Sequence, residues 1–177
     1  MQVTAKKILT LDELSAKAKE YRDSGKKVVL CHGIFDLIHA GHIRYLRSAR
    51  DEGDVLFVTV TADEFINKGP GRPVFPQELR AENLGYLSLV DFVAVNNAAT
   101  AVNVLSEIKP HAYVKGPDYK KMEDDITGGI YAEKKTVEAH GGKIVFTNDI
   151  TCLMLAVLHL PFIYIAYTTW QMQGMQI

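Results

Sequence analysis

Two histidines on either side of a glycine are the residues of this sequence best suited to phosphate chemistry. The segment 31–42 reads CHGIFDLIHAGH and places His39 and His42 around Gly41, where a helical pattern begins. A helix N-terminus has unpaired N–H groups and the positive end of the helix dipole, so it favours phosphate. Imidazole N–H groups there would add donors to the same oxygens. One histidine alone would read as an ordinary surface or core residue, but the pair predicts a phosphate site.

The residues before the histidine pair have the pattern of a strand and a tight loop. The apolar run 27–31 is typical of a buried parallel strand, and Gly33 lies two residues after it. A glycine there lets backbone N–H groups approach a ligand closely. Asp36, in the same loop, reads either as a turn residue or as a carboxylate of the site.

The rest of the chain alternates between the two periodicities. Strands are predicted at 27–31, 55–60, 92–95, 112–114 and 143–146. A capping box formed by Thr10 and Glu13 opens the first helix, which ends near Gly25. Further helices are predicted at 41–51, 76–89, 99–108 and 127–139. This alternation predicts an α/β, Rossmann-like parallel sheet with helices on both faces, whose ligands bind at the carboxyl ends of the strands.

Charged residues follow the second predicted strand. Lys68 and Arg72 lie in the loop KGPGRP, which can close over a site and neutralise phosphate charge. The alternative is a solvated loop with two scattered charges. Asp63 either binds a ligand or caps a helix. Arg80, on a predicted helix, reads by itself equally well as a surface arginine.

Composition narrows the class of protein. The chain has 177 residues, 47% hydrophobic and 23% charged, with a formal net charge of −1. These values fit a soluble globular domain and give no reason to expect nucleic acid or an acidic membrane as a partner. Its two cysteines, Cys31 and Cys152, argue against a disulfide framework and a zinc site. The N-terminus has no apolar core of signal-peptide length, so a cytoplasmic setting is expected.

The pattern G-x-F-D-x-x-H-x-G-H resembles the signature of the cytidylyltransferase-like nucleotidyltransferases. The resemblance covers about residues 5–151 and is strongest to the adenylyltransferase domain of ADP-heptose synthases and to related domains that precede ribokinase-type sugar kinases. Four further blocks carry it: KGPGRP, LRAE, VDFV and YVKGPDY. Class-I aminoacyl-tRNA synthetases share a related motif but are far larger.

The resemblance implies transfer of AMP or CMP from ATP or CTP to a phosphorylated small molecule, with a sugar 1-phosphate as the better candidate. Pyrophosphate would be released, Mg²⁺ would bind through the nucleotide phosphates with no metal ligand from the protein, and a homodimer is a family expectation. The catalytic residues would be His39, His42 and Lys68. Residues expected to hold the nucleotide follow the first and fourth strands: Gly33, Ile34, Phe35, Asp36, Gly41, Lys115, Gly116 and Asp118. Residues expected to contact the substrate are Asp63, Arg72, Arg80 and Tyr119.

The segment 115–119 departs from the related GDDW-like stretch, because Pro117 stands where an acid would be. That leaves Asp118 as the candidate carboxylate and Tyr119 as a candidate stacking ring. A plain turn is the alternative.

The tail 152–177 also departs from the family pattern. A Ser-rich stretch is expected after position 151, yet the sequence continues CLMLAVLHLP, and no Lys, Arg, Asp or Glu occurs beyond that position. Three explanations are open: a reading-frame change or aberrant 3′ end, a buried terminal helix or strand, or a membrane anchor. The apolar run is shorter than a spanning helix needs, and Pro161 interrupts it. We therefore expect a nucleotidyltransferase domain at 1–151 and a divergent apolar tail at 152–177, with no membrane association.

The tail keeps a second function open. Without the Ser-rich element the chain could be a non-catalytic module, or an inactive fragment, that binds nucleotide or sugar phosphate. A membrane-associated role is a third, weaker alternative.

Overall fold

The computed structural model describes residues 6–117 and 129–148, and its centre is a five-stranded, wholly parallel sheet. The order of the strands is β3-β2-β1-β4-β5. Their bounds are Val28–Gly33 (β1), Val55–Thr61 (β2), Phe92–Asn96 (β3), Ala112–Lys115 (β4) and Lys143–Phe146 (β5). The predicted α/β class and the five strands are confirmed.

Helices cover both faces of this sheet. They span Leu11–Asp23 (α1), Ala40–Arg50 (α2), Gln77–Gly85 (α3), Val102–Ile108 (α4) and Gly129–Ala139 (α5), and a short 3₁₀ helix spans Asp63–Phe65. Helices α2 and α3 pack on one face, while α1, α4 and α5 pack on the other. No helix in these described ranges is long and apolar enough to cross a membrane.

Strand β1 is apolar from Val28 to Cys31, where it is buried on both sides. Val29 and Cys31 belong to the core under α2 and α3, whereas Val28 and Leu30 belong to the opposite core. Burial raises the pKa of the Cys31 thiol to about 12, so this cysteine is an inert core residue.

Local hydrogen bonds explain where the helices begin and end. The Thr10 hydroxyl accepts from the Glu13 N–H, and Glu13 accepts from the Thr10 N–H, which confirms the predicted capping box. Helix α4 begins three residues later than predicted, because the Asn96 amide donates to the carbonyls of Ala98 and Thr100 and holds them in a turn. Helix α3 ends at Gly85, earlier than predicted, and turns follow it.

The strand order places a crevice between β1 and β4. The chain winds outward from β1 through β2 to β3, and then from β4 to β5 on the other side. Where the direction of winding reverses, the loops after the neighbouring strands separate and leave room for a ligand. The histidine segment follows β1 at this point.

Candidate active site

The two histidines cap helix α2 reciprocally. His39 is the N-cap, and its Nδ1 accepts the Gly41 N–H at 3.0 Å. The His39 N–H donates in turn to Nδ1 of His42 at 3.4 Å, and the ring centroids lie 4.1 Å apart. Because both Nδ1 atoms accept, each neutral ring carries its proton on Nε2. The helix start therefore holds two imidazoles whose Nε2 atoms are available as donors.

His42 is uncharged at neutral pH. Burial is the main cause that lowers its pKa to about 4, and the nearby charges of His39 and Lys68 act in the same direction. A hydrogen bond with the Leu37 backbone raises the pKa of His42, but by less than the other causes lower it. Lys68, on the loop after β2, is therefore close enough to His42 for its charge to act on this pKa.

Phe35 packs the turn between β1 and α2. Its ring lies 5.5 Å from the His42 ring and 6.4 Å from that of Tyr45, centroid to centroid. A Cβ on Gly33 would lie 3.2 Å from the Phe35 ring, so glycine is what this compact turn accommodates. The Tyr45 hydroxyl donates to the Val114 carbonyl at 2.6 Å and ties α2 to β4. Sequence reasoning missed Tyr45; its signal is an aromatic ring one helical turn after His42.

Asp36 and Arg72 fasten the Lys68 loop. The Asp36 carboxylate accepts from the N–H groups of Val74 and Phe75 at 2.8 and 3.0 Å, and from Arg72 at 2.9 Å. Burial alone would raise the pKa of Asp36, but these donors outweigh it and hold the pKa below its ordinary value. The carboxylate is therefore a charged anchor for the loop.

Arg80 is a fully buried residue and not a surface arginine. Its Nη2 donates to the Thr61 carbonyl at 2.7 Å and to Asp63 at 2.6 Å. Its Nη1 donates to the Ile34 carbonyl at 2.5 Å, and its Nε donates to the Phe75 carbonyl at 3.0 Å. The guanidinium joins the loops after β1 and β2, and a side chain with no exposed surface offers a phosphate no direct contact in this arrangement.

Asp63 is held by groups of the protein. One carboxylate oxygen contacts Arg80, and the other accepts the N–H of Gln77, the first residue of α3, at 3.2 Å. The Gln77 side chain accepts the Asp63 N–H in return. Asp63 thus caps a helix, although the capped helix is α3 and not the turn that follows Asp63. Its side chain remains 38% exposed.

A second group of polar side chains lies at the carboxyl ends of β4 and β5. Lys115 is buried beside Tyr113 and Glu133, and Gly116 follows with open space where a Cβ would be. Asp118 and Tyr119, predicted for the same loop, lie outside the described residues. At the end of β5, the Thr147 hydroxyl is the one buried side-chain polar atom of the described ranges without a hydrogen-bond partner. A buried unpaired hydroxyl costs free energy, which makes it a candidate ligand contact.

His32 was not selected from the sequence. Its two ring nitrogens lie 2.9 Å from the Thr59 hydroxyl and 3.3 Å from the Thr61 hydroxyl, both on β2. Burial first, and then the charge of Lys115, lower the pKa of His32 to about 4, so it is neutral. The available signal was a polar residue between an apolar strand and Gly33.

The acids near the histidine pair are already engaged. Asp36 holds Arg72 and the loop backbone, and Asp63 holds Arg80 and Gln77. The described residues contain no group of three or more His, Cys, Asp or Glu side chains that could hold a metal ion. This donor set fits a divalent cation that arrives on nucleotide phosphates better than one held by the protein.

The chain is an α/β protein with a doubly wound sheet, and paired imidazoles lie at a helix start beside the switch point, where ligands bind in such folds. Comparison with known families identifies the family: a family model described as cytidylyltransferase-like matches residues 30–152. The chain belongs to the cytidylyltransferase-like family. The family predicted from the histidine motif is confirmed.

Curated relatives are similar in sequence to this chain over most of its length. The bifunctional protein HldE of Methylobacillus flagellatus is 39% identical over 146 residues, which are 81% of this chain and 28% of the relative. HldE of Vibrio parahaemolyticus is 41% identical over 143 residues, 80% of this chain and 29% of the relative. The chain thus spans less than a third of the length of these bifunctional relatives.

Solved structures show the same fold. The lipopolysaccharide core biosynthesis protein of Thermoplasma volcanium aligns with a TM-score of 0.59 and 26% identity, covering 71% of this chain and 99% of that one. Pantoate-beta-alanine ligase of Francisella tularensis, solved with beta-gamma ATP and beta-alanine, aligns with a TM-score of 0.54. It covers 79% of this chain and 66% of that one, and at 17% identity the likeness concerns the fold alone.

Proposed function

We propose that the protein transfers AMP or CMP from ATP or CTP to a sugar phosphate and releases pyrophosphate. The observation that carries the proposal is the pair of imidazoles at the start of α2, with Lys68 close enough to lower the pKa of His42. The similarity to HldE and to a lipopolysaccharide core biosynthesis protein supports a sugar phosphate as acceptor.

The chemistry is an in-line substitution at the α-phosphorus. A phosphate oxygen of the acceptor forms a new bond to this phosphorus, and the bond from the α-phosphorus to the bridging oxygen of the β-phosphate breaks. Pyrophosphate leaves with that electron pair. The protein needs no covalent nucleophile, so positioning and neutralisation of charge supply the rate.

Each part of the site has a proposed role. His39 and His42 donate to phosphate oxygens, and Lys68 neutralises charge that develops on the transferring group. Gly33, Ile34 and Phe35 line the nucleotide with their backbone.

The remaining predicted residues fall into two groups. Residues that fasten the site are Asp36, Asp63, Arg72 and Arg80, with Gly41 in the first turn of α2. Residues that complete it from the β4 side are Lys115, Gly116, Asp118 and Tyr119.

Mg²⁺ fits this arrangement when it is held by the phosphates of the nucleotide. When bound, it supplies neutralisation of phosphate charge. The carboxylates of Asp36 and Asp63 are paired with Arg72 and Arg80. The protein therefore contributes cations and hydrogen-bond donors, which also neutralise phosphate charge.

We also propose that residues 1–151 form the catalytic unit and that it works in the cytoplasm on small molecules. Homodimerisation is part of the same proposal and is tested by measuring the mass in solution.

A non-catalytic module that binds nucleotide or sugar phosphate is the second candidate. The observation in its favour is the apolar sequence after position 151, where a Ser-rich element is expected. Such a module would bind a nucleotide without releasing pyrophosphate.

A screen of nucleotides against acceptors separates the two candidates. ATP and CTP are each incubated with Mg²⁺ and a panel of sugar 1-phosphates, and pyrophosphate and the nucleotide sugar are measured. Reactions without acceptor control for simple hydrolysis. We expect pyrophosphate and nucleotide sugar in equal amounts with one nucleotide preferred. Nucleotide binding with no product in any combination would support the non-catalytic module instead.

A further inference from the structure

Lys115 and Glu133 form a buried ion pair at the edge of the candidate site. Their Nζ and Oε2 atoms lie 3.2 Å apart, and the side chains are 8% and 7% exposed. The Tyr113 hydroxyl lies between them, because it accepts from Lys115 at 3.0 Å and donates to Glu133 at 2.9 Å. The ammonium of Lys115 also lies 5.1 Å from the centre of the Tyr113 ring.

Glu133 fixes this cluster to the opposite layer of the fold. It lies on α5, and its other carboxylate oxygen accepts the N–H of Ala101, the residue that caps α4, at 3.1 Å. One carboxylate therefore joins α4, α5 and β4. Contacts from these three elements fix the position of the Glu133 carboxylate, and the carboxylate in turn fixes the position of the Lys115 ammonium.

The pairing of strands places this ammonium next to the exit of β1. Cys31 pairs with Val114 in the parallel ladder, so the next residues, His32 and Lys115, project on the same face. The charge of Lys115 also contributes to the low pKa of His32. Gly33 follows His32, and with it begins the turn assigned to the nucleotide.

Stability alone gives little reason for such a pair. A buried ion pair often stabilises a fold no better than apolar residues of the same size, because both charges lose their hydration. Active sites, by contrast, use burial and specific charge partners to set the state of their titratable groups. The location of this pair at the switch point fits a functional role.

We propose that Glu133 is a positioning residue for nucleotidyl transfer, which holds the Lys115 ammonium charged and directed at the end of β4 beside the nucleotide. The inference rests on the proposed function, since it assigns Lys115 to the nucleotide. Glu133 itself touches no substrate and acts through Lys115.

The test is a double-mutant cycle on the full chain. Glu133→Gln keeps the shape and hydrogen-bonding capacity of the side chain and removes its charge, and Lys115→Met removes the ammonium. Glu138→Gln, on the exposed part of α5, is the matched control. We expect Glu133→Gln to lower kcat/KM on the order of 10–100-fold, the loss seen when the partner of a functional side chain is removed at metal sites. In the Lys115→Met background the same change should have no further effect.

The pH profile distinguishes positioning from a purely structural role. Glu133→Gln removes a negative charge that favours the charged form of the neighbouring amine, so the variant should lose activity as the pH rises from 6 to 9, beyond any change in the wild type. Among the described residues, the groups that face the ammonium from β1, β4 and α5 include His32, Tyr113 and Glu133. Additive losses in the cycle, or a Glu133→Gln protein that is less stable but has wild-type kcat/KM and pH profile, would overturn the proposal.

Measurements of nucleotide affinity distinguish a failure of the proposed nucleotidyl transfer from a failure of the proposed role of Glu133. The same cycle is measured as the Kd of a non-hydrolysable ATP or CTP analogue. If the wild type binds the analogue but forms no product, the proposed function fails while the cycle in Kd still tests Glu133. If the wild type binds neither analogue, both proposals fall.

Discussion

The paired imidazoles stabilise the start of α2 and present donors at the same time. Their Nδ1 atoms accept backbone N–H groups, which satisfies the helix and fixes the tautomer with the proton on Nε2. A serine or aspartate cap would satisfy the helix equally well but offer no such donor. The spacing around Gly41 therefore serves helix capping, and it also suits the phosphate binding that we propose.

His42→Ala should lower kcat/KM by roughly 10²–10³, because it removes one preorganised donor to developing charge. Pyrophosphate release under saturating and limiting nucleotide measures the loss. His140→Ala, an exposed histidine beyond the end of α5, is the control and should keep wild-type activity. Normal turnover by the His42→Ala protein would remove His42 from the site.

Residue identity predicted the local structure around the histidine pair, while the binding role of the pair stays a prediction. Two histidines, a glycine and a helical pattern are local features, and the helix does begin between His39 and Gly41. His32 and Tyr45 were missed because their roles depend on partners far along the chain, on β2 and β4.

At the level of elements, Arg80 and Asp36 hold the Lys68 loop against the ends of β1 and β2. Arg80 contacts three carbonyl groups and a carboxylate, and Asp36 contacts two backbone N–H groups and a guanidinium. The sequence could not show this arrangement, since a helical arginine has the same local pattern whether it faces solvent or the carbonyls of distant loops.

Arg80→Met should destabilise the fold by about 3–5 kcal/mol, because it leaves buried carbonyls and the Asp63 carboxylate without their partner. Chemical denaturation measures the free energy of unfolding. Arg47→Met, an exposed change on α2, is the control and should fall within about 0.5 kcal/mol of wild type. An Arg80→Met protein as stable as the control would contradict the structural role of the guanidinium.

Across the whole molecule, the predicted alternation of strands and helices gave the correct architecture. Apolar runs and helical spacing locate the elements, and parallel strands bring their carboxyl ends to one edge. The ends of α3 and α4 could not be predicted, because the turns that set them depend on side-chain bonds such as those of Asn96.

Global stability should fall in mildly acidic solution. The pKa values of His32 and His42 are about 4 in the folded protein and near 6.5 when unfolded, so the unfolded chain binds more protons between these values. Their contribution is complete above pH 6.5 and is lost as the pH falls toward 4. For His32 it amounts to roughly 3 kcal/mol at most.

Denaturation curves at pH 7.5 and pH 5 measure this effect. His32→Gln should weaken the pH dependence, since its amide can still contact the threonine hydroxyls but does not titrate. His111→Gln, at an exposed position, should leave it unchanged. An equal pH dependence in the wild type and the His32→Gln protein would show that His32 is not held neutral by the fold.

The structure of the protein with a bound non-hydrolysable nucleoside triphosphate and Mg²⁺ tests the central claim most directly. We predict the triphosphate at the start of α2, with Nε2 of His39 and of His42 within about 3 Å of phosphate oxygens and Lys68 closed over them. A triphosphate bound elsewhere, or imidazole rings directed away from it, would contradict the assignment of this site.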